Sequence, residues 1–82
     1  MAKVTIYTTP TCVYCKMAKA FFAQNNVSYE EKNVATDLAA REEMVNKSHQ
    51  LGVPVIDVDN SIVIGFDQRT LEQLLGIGAK AA

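Results

Sequence analysis

The chain opens on a strand-like pattern that gives way to a helical one. Residues 3–8 alternate between two faces and are largely β-branched or aromatic, which predicts a first strand. Beyond Pro10 the spacing becomes that of a helix, with apolar positions at Tyr14, Met17, Ala18, Phe21 and Phe22. Because Thr11 is a favourable N-cap residue, we expect the helix to begin at Cys12. Its two phenylalanines are predicted to be core residues.

The middle of the chain predicts another strand and another helix. Residues 27–34 resemble a strand, and their lower apolar content indicates an edge of the sheet. An amphipathic helix follows, with Thr36 or Asp37 as its N-cap and with Gly52 just beyond its end.

The last third predicts a hairpin and a third helix. Residues 54–58 and 61–64 are short strands, and Asp59–Asn60 between them favours a tight turn. Asp67 is expected to cap the final helix and Gly76 to end it. The core positions of this helix are predicted to be Leu71, Leu74 and Leu75.

The resulting order of elements is β-α-β-α-β-β-α. The first βαβ unit requires two parallel strands joined by a right-handed crossover, whereas the final hairpin is antiparallel. We therefore predict an α/β fold in which three helices cover both faces of a four-stranded mixed sheet. A chain of 82 residues fits one domain spanning residues 1–82, with an ordered core at about 3–76.

The net charge and the distribution of basic and apolar residues limit the possible partners and the compartment of the protein. The formal net charge is −1 and there is no basic run, which argues against a nucleic-acid partner. We see neither a leader-like pattern before the first strand nor an apolar run long enough for a membrane span, so we expect a cytoplasmic protein. In that compartment thiols stay reduced, and a close cysteine pair is more often catalytic or metal-binding than structural.

The candidate chemistry lies at Cys12 and Cys15, which form a CxxC motif where the first strand gives way to the helix. Free N–H groups at a helix start stabilise an anion, so the thiolate of Cys12 is favoured as a nucleophile. Cys15 lies one turn deeper and can resolve a mixed disulfide formed on Cys12. This chemistry requires no metal and no organic cofactor.

A zinc site and a structural disulfide are less favoured interpretations of the cysteine pair. A CxxC motif can be half of a zinc site, but His49 is the one further ligand within reach, and three ligands leave such a site open. The end of a helix is also an ordinary place for a solvated histidine. A structural disulfide across so short a loop would stabilise the fold little.

With these residues in view, the chain from Val4 to about Gly76 resembles a bacterial glutaredoxin, a member of the thioredoxin superfamily. The resemblance rests on Ile6-Tyr7-Thr8 leading into the CxxC motif, on Val53-Pro54, on Gly65-Phe66-Asp67 and on Arg41-Glu42-Glu43-Met44. It implies a thioredoxin-like fold and a glutathione-dependent thiol–disulfide oxidoreductase. Glutathione would then be a co-substrate rather than a cofactor.

The resemblance also implies a binding surface. Pro54 is expected to be cis and to face Cys12, because the X-Pro bond is the one at which cis is accessible. The main chain of Val53 would then pair with a substrate peptide or with glutathione. The residues implied to bind substrate or glutathione are Thr11, Val13, Tyr14, Val53, Pro54, Gly65, Phe66, Asp67 and Gln68.

The sequence departs from the glutaredoxin pattern at four places. Val13 replaces a proline, Thr9 replaces a lysine that would hold a glutathione carboxylate, and Ile64 replaces the first of two glycines. Gln68 stands where an acidic residue would hold the γ-glutamyl amine. The missing charges predict weaker binding of glutathione than in most glutaredoxins.

The expected partners are glutathione and disulfide-bearing proteins, with the chain acting as a monomer. The first alternative is a glutaredoxin-like redoxin that serves ribonucleotide reductase and is recharged by thioredoxin reductase. Such redoxins also resemble this chain in their Gly-Phe pair and in lacking the glutathione-binding charges. The second alternative is a carrier of zinc or of an iron–sulfur cluster through Cys12, although a dithiol motif and Val13 argue against the cluster.

Overall fold

The computed structural model describes residues 3–77. Its seven elements are β1 (Val4–Thr8), α1 (Val13–Gln24), β2 (Glu30–Asn33), α2 (Leu38–Ser48), β3 (Val55–Val58), β4 (Ser61–Ile64) and α3 (Gln68–Leu75). The predicted order of strands and helices is confirmed. The predicted domain of residues 1–82 also includes residues 1–2 and 78–82, which lie outside the described part.

The four strands form one mixed sheet in the order β2-β1-β3-β4. Strand β1 runs parallel to β2, with Ile6 opposite Glu31, and antiparallel to β3, with Ile6 opposite Ile56. Strand β4 completes the sheet as the antiparallel partner of β3. Strand β2 therefore lies at an edge, as its polar composition predicted.

Helices cover both faces of the sheet, so β1 is buried along its whole length. On one face α1 and α3 contribute to a cluster with Val4, Ile6, Ala18, Phe21, Phe22, Ile56, Val58, Val63 and Leu71. On the other face α2 packs through Ala40 and Met44 against Tyr7, Val34 and Val55. The helices on both faces and the two core phenylalanines of α1 are as predicted.

Several element boundaries follow from local signals along the chain. Asp37 and Asp67 are the N-caps of α2 and α3, and their carboxylates accept hydrogen bonds from Ala40 N (3.1 Å) and Thr70 N (3.2 Å). Asp59 and Asn60 both have positive φ, 51° and 74°. Such a pair of angles suits a two-residue hairpin turn. Gly76 ends α3 in the left-handed conformation.

Several boundaries differ from the sequence prediction, most of them by one residue, and two of the differences have a local reason. The N-cap of α1 is Cys12 rather than Thr11, because Pro10 favours a turn in which Cys12 N donates to Thr9 O at 3.3 Å. Strand β2 begins at Glu30 rather than at residue 27. Val27 instead lies just beyond α1, and its N–H donates to Phe22 O at 2.9 Å in a contact that closes the helix end.

Some apolar positions with helical spacing face away from the core. Tyr14 and Met17 of α1 are 62% and 45% exposed, whereas Cys15, Ala18 and Phe22 are buried. In α3, Leu71 is fully buried but Leu74 is 39% exposed, so the prediction of Leu74 as a core residue is wrong. Each helix thus contacts the sheet through only some of its apolar residues, and the others are exposed to solvent.

A polar cluster joins α2 to the sheet. Lys47 of α2 donates to Asp57 of β3 at 2.7 Å and to the hydroxyl of the fully buried Tyr7 at 3.1 Å. Its hydrogen bond to Asp57 raises the pKa of Lys47 above the usual value. Burial likewise raises the pKa of Tyr7. These contacts fix the C-terminal half of α2 and therefore the start of the loop that follows it.

No helix within residues 3–77 has the length and apolar content needed to cross a membrane.

The two leucines of α3 provide a matched test of this packing. We expect Leu71→Ala to lower the free energy of unfolding by about 2–5 kcal/mol, because it removes a fully buried side chain and leaves a cavity. Leu74→Ala should cost about 1 kcal/mol or less. Chemical denaturation of both variants measures the difference, and equal losses would contradict the orientation of α3.

Candidate active site

Three chain segments meet at one edge of the sheet. Strand β1 ends there at Thr8, and the loop that carries Cys12 follows it. Because Val55 lies opposite Tyr7 in the antiparallel register, Pro54 lies beside the end of β1. Gly65 follows β4 and donates its N–H to Pro54 O at 2.8 Å. The register of the strands therefore brings the CxxC motif, the Val53–Pro54 step and the start of α3 to the same edge.

The two cysteines occupy unlike environments. They are joined in a disulfide, with their Cα atoms 5.2 Å apart. Cys12 is the half-buried N-cap of α1, whereas Cys15 lies in the first turn and is only 1% exposed. One sulfur is thus accessible to another molecule and the other is enclosed behind it.

The start of α1 provides a donor to the accessible sulfur. The main-chain N–H of Cys15 donates to Cys12 Sγ at 3.0 Å. There is no acidic residue in the first turn, and the positive end of the helix dipole favours a negative charge at this position. Lys16 is exposed to solvent and adds little to this field. The arrangement therefore favours the thiolate form of Cys12 once the disulfide is reduced.

Exposed apolar side chains surround the motif. Val13 and Tyr14, which separate the two cysteines, are 65% and 62% exposed, and Met17 follows one turn later. Thr11 is also exposed. Large apolar side chains in solvent beside a reactive sulfur are typical of a surface that contacts another molecule.

The Val53–Pro54 peptide bond is cis, as the resemblance implied. Pro54 is fully buried and Val53 is half-buried. Within residues 3–77, neither the N–H nor the C=O of Val53 makes a hydrogen bond. These two groups lie at the same edge of the sheet as Cys12.

The segment before α3 has its own internal contacts. Gly65 has a φ of 80°, a conformation that glycine adopts readily. The ring of Phe66 packs edge-on against Phe21 with centroids 5.8 Å apart. Both carboxylate oxygens of Asp67 accept hydrogen bonds from Thr70, at 3.2 and 2.8 Å. The acidic group nearest to the predicted γ-glutamyl site is therefore engaged within the protein.

Gln68 and Thr9 carry no charge where most glutaredoxins have one. Gln68 is exposed and its amide donates to Glu72 at 3.1 Å. Thr9 is half-buried in the turn before Cys12, where its carbonyl accepts from Cys12 N. Thr9 thus follows β1 directly and Gln68 begins α3, and neither side chain carries a charge.

One contact network at this edge was not predicted from the sequence. The hydroxyl of buried Thr8 donates to Glu31 at 2.7 Å, and Lys19 of α1 contacts the same carboxylate at 2.9 Å. The hydrogen bond from Thr8, followed by that from Lys19, lowers the pKa of Glu31 below its usual range. The network ties β1, β2 and α1 together just before the cysteine turn. The one sign of it in the sequence was an acidic residue, Glu31, in a strand that follows the helix carrying Lys19.

Among residues 3–77, no three His, Cys, Asp or Glu side chains come close enough together to hold a metal ion. His49 lies instead at the C-cap of α2, exposed and in the left-handed conformation. His49 is thus a solvated helix-end residue.

Comparison with known proteins identifies the family. The glutaredoxin family model matches residues 4–63. A glutaredoxin-like 8.6 kDa protein of Clostridium pasteurianum is 42% identical over 72 residues, which is 88% of this chain and 96% of that protein. Glutaredoxin 3 of Escherichia coli K12 is 42% identical over 67 residues, which is 82% of this chain and 81% of that protein.

Solved structures show the same fold. A mutant of the thioredoxin-like protein BC3987 superposes with a TM-score of 0.88 at 37% identity, covering 95% of this chain and 100% of that one. The glutaredoxin-like NrdH-redoxin of Escherichia coli superposes with a TM-score of 0.79 at 25% identity, covering 88% and 93%. The family model and these relatives show that the chain, with its Cys12–Cys15 disulfide, belongs to the glutaredoxin family of thiol–disulfide oxidoreductases.

Proposed function

We propose that this chain reduces protein disulfides and glutathione mixed disulfides, with Cys12 as the attacking group and Cys15 as the resolving group. The observation that carries the proposal is the unequal placement of the two sulfurs. Cys12 is accessible and receives an N–H hydrogen bond at a helix start, whereas Cys15 is enclosed one turn further on. An accessible thiolate reacts with incoming disulfides, and a buried thiol next to it reacts only within the protein.

The proposed cycle is a sequence of two thiol–disulfide exchanges. The Cys12 thiolate attacks one sulfur of the substrate disulfide, which forms a mixed disulfide and releases the first substrate thiol. Cys15 then loses its proton and attacks Cys12 Sγ, which releases the second thiol and leaves the Cys12–Cys15 disulfide. Two molecules of glutathione return both cysteines to thiols and become glutathione disulfide.

The substrate would bind across the edge described above. Its main chain would pair with the N–H and C=O groups of Val53, which have no partner within residues 3–77. Exposed Val13 and Tyr14 would contact its apolar side chains. The remaining binding residues in this proposal are Thr11, Pro54, Gly65, Phe66, Asp67 and Gln68.

We place the reaction in the cytoplasm, where reducing equivalents are supplied as thiols, and propose that the chain acts as a monomer.

A second candidate differs in the electron donor. Thr9 and Gln68 offer no charge to glutathione, and both oxygens of Asp67 are engaged by Thr70. The similar NrdH-redoxin of Escherichia coli is described as having a thioredoxin-like activity profile. These observations favour recharging by thioredoxin reductase, with a ribonucleotide reductase as the disulfide-bearing partner.

The two cysteine variants test the division of roles. We expect Cys12→Ser to abolish activity with every disulfide substrate, because the one thiol that remains, Cys15, is buried. Cys15→Ser should retain turnover of a small glutathione mixed disulfide, since free glutathione can resolve the intermediate. Turnover is measured with a glutathionylated peptide and with a protein disulfide. Equal loss in both variants with the glutathionylated peptide would show that the roles are not divided in this way.

The reactivity of the reduced protein tests the helix-start argument. We expect the alkylation rate of Cys12 to reach half of its plateau clearly below about pH 8.5, the midpoint for a free thiol, because the N–H of Cys15 stabilises the thiolate. Cys15 should react far more slowly because it is buried. Iodoacetamide labelling followed by mass spectrometry measures both sites. A midpoint for Cys12 at or above that of a free thiol would refute the argument.

Two variants that introduce the missing charges at positions 9 and 68 test the choice of electron donor. We expect Thr9→Lys and Gln68→Asp each to lower the KM for glutathione several-fold, because each adds a charge-assisted contact at a site that is at least partly exposed. The assay couples turnover to glutathione reductase, and a parallel assay supplies thioredoxin reductase instead.

Gln73→Asp is the matched control, since it adds the same charge at an exposed position of α3 further from its start. It should leave the KM for glutathione unchanged. If neither Thr9→Lys nor Gln68→Asp changes that KM, the missing charges do not limit binding. Wild-type turnover with thioredoxin reductase alone would favour the second candidate.

A further inference from the structure

A side-chain clamp precedes the Val53–Pro54 step. Gln50 Oε1 accepts the N–H of Gly52 at 2.8 Å, and Gln50 Nε2 donates to Gly52 O at 3.0 Å. One amide side chain thus pairs with both main-chain groups of Gly52. This residue lies directly before Val53, whose own N–H and C=O have no partner within residues 3–77.

The clamp is attached to the end of α2. Gln50 Nε2 lies 3.4 Å from the hydroxyl of Ser48, and this hydroxyl lies 3.1 Å from Gln50 O. Ser48 is buried and its hydroxyl donates to Met44 O at 2.7 Å. Since Lys47 holds this end of α2 to the sheet, the loop is connected to the core through a continuous set of contacts.

Gly52 is matched to the clamp by its size. A Cβ atom at this position would lie 2.8 Å from Gln50 Oε1. Apart from the two chain neighbours, no group of residues 3–77 outside the Gln50 side chain comes within 4 Å of it. Its φ lies outside the left-handed region, so the backbone conformation does not require glycine. In the described part of the chain, the clamping side chain itself is therefore the obstacle to a larger residue at position 52.

We propose that Gln50 is a positioning residue that fixes Gly52 and thereby the orientation of the Val53 main chain toward substrate. The inference rests on the proposed function, in which Val53 pairs with the substrate main chain. Two hydrogen bonds to one residue restrict both of its peptide planes, and the plane that contains the Gly52 C=O also carries the Val53 N–H. Gln50 lies in the loop between α2 and β3 and makes no hydrogen bond to the cysteine turn. Its effect falls on substrate binding and leaves the thiol chemistry of Cys12 unchanged.

The first test removes the clamp. We expect Gln50→Ala to raise the KM for a glutathionylated peptide about threefold to tenfold, the range that corresponds to loss of an ordinary hydrogen bond, with kcat nearly unchanged. The alkylation rate of Cys12 by iodoacetamide, a reagent too small to need the Val53 main chain, should equal that of the wild type. Gln24→Ala, at the exposed end of α1, is the matched control and should change neither quantity.

The second test uses the steric conflict between a side chain at position 52 and the amide of Gln50. Gly52→Ala in the wild-type background should raise the KM to a similar extent, because its Cβ displaces the Gln50 amide. In the Gln50→Ala background the same substitution should cause no further increase, since the obstructing side chain is gone. Such non-additivity is the signature of two residues that act through one contact.

The outcomes separate the inference from the proposed function. If the wild type does not reduce the glutathionylated peptide, the proposed function fails. If the wild type is active and Gln50→Ala leaves the KM unchanged, the positioning role is overturned. An additive effect of Gly52→Ala in both backgrounds would also overturn it.

Should Gln50→Ala fail to fold, Gln50→Glu keeps the acceptor for Gly52 N and loses the donor to Gly52 O. Its KM should then exceed that of the wild type, and an unchanged KM would overturn the role.

Discussion

The antiparallel register between β1 and β3 is the constraint on which the site depends. Pairing of Tyr7 with Val55 places Pro54 beside the end of β1, and the turn that carries Cys12 begins directly after that end. Burial fixes this register, because a shift by one residue would exchange the side chains that pack against α2 with those that pack against α1 and α3. The redox motif and the Val53–Pro54 step therefore share an edge as a consequence of core packing.

The turn that carries the cysteines gives the two sulfur atoms at this edge different environments. Cys12 rather than Thr11 caps α1, so its sulfur lies where the first free N–H groups of the helix point. Cys15 is buried by the same helix that exposes Val13 and Tyr14 to solvent. One short helix start thus separates an accessible sulfur from an enclosed one and surrounds the accessible one with apolar surface. The proposed division of roles between Cys12 and Cys15 follows from this separation.

The polar groups around the site are mostly engaged within the protein. Asp67 caps α3 through Thr70, and Glu31 accepts from Thr8. The Gln50 amide is paired with Gly52. The main chain of Val53 and an apolar rim remain available to a substrate at this edge. We therefore expect recognition by backbone pairing and shape rather than by charge, in keeping with the prediction that glutathione binds weakly.

The sequence by itself determined the order of elements, the cap at Asp67 and the CxxC motif at a helix start, because each depends on interactions within a few residues. It left the cap of α2 open between Thr36 and Asp37, and the structure has Asp37. Tertiary structure decided the exposure of Leu74, because burial depends on how widely the sheet covers each helix. It also decided the contact of Thr8 with Glu31, which joins residues far apart in the chain. The clamp of Gln50 on Gly52 is local in sequence, yet no pattern predicted it. Its geometry requires the end of α2 and the start of β3 to be fixed by the packed core.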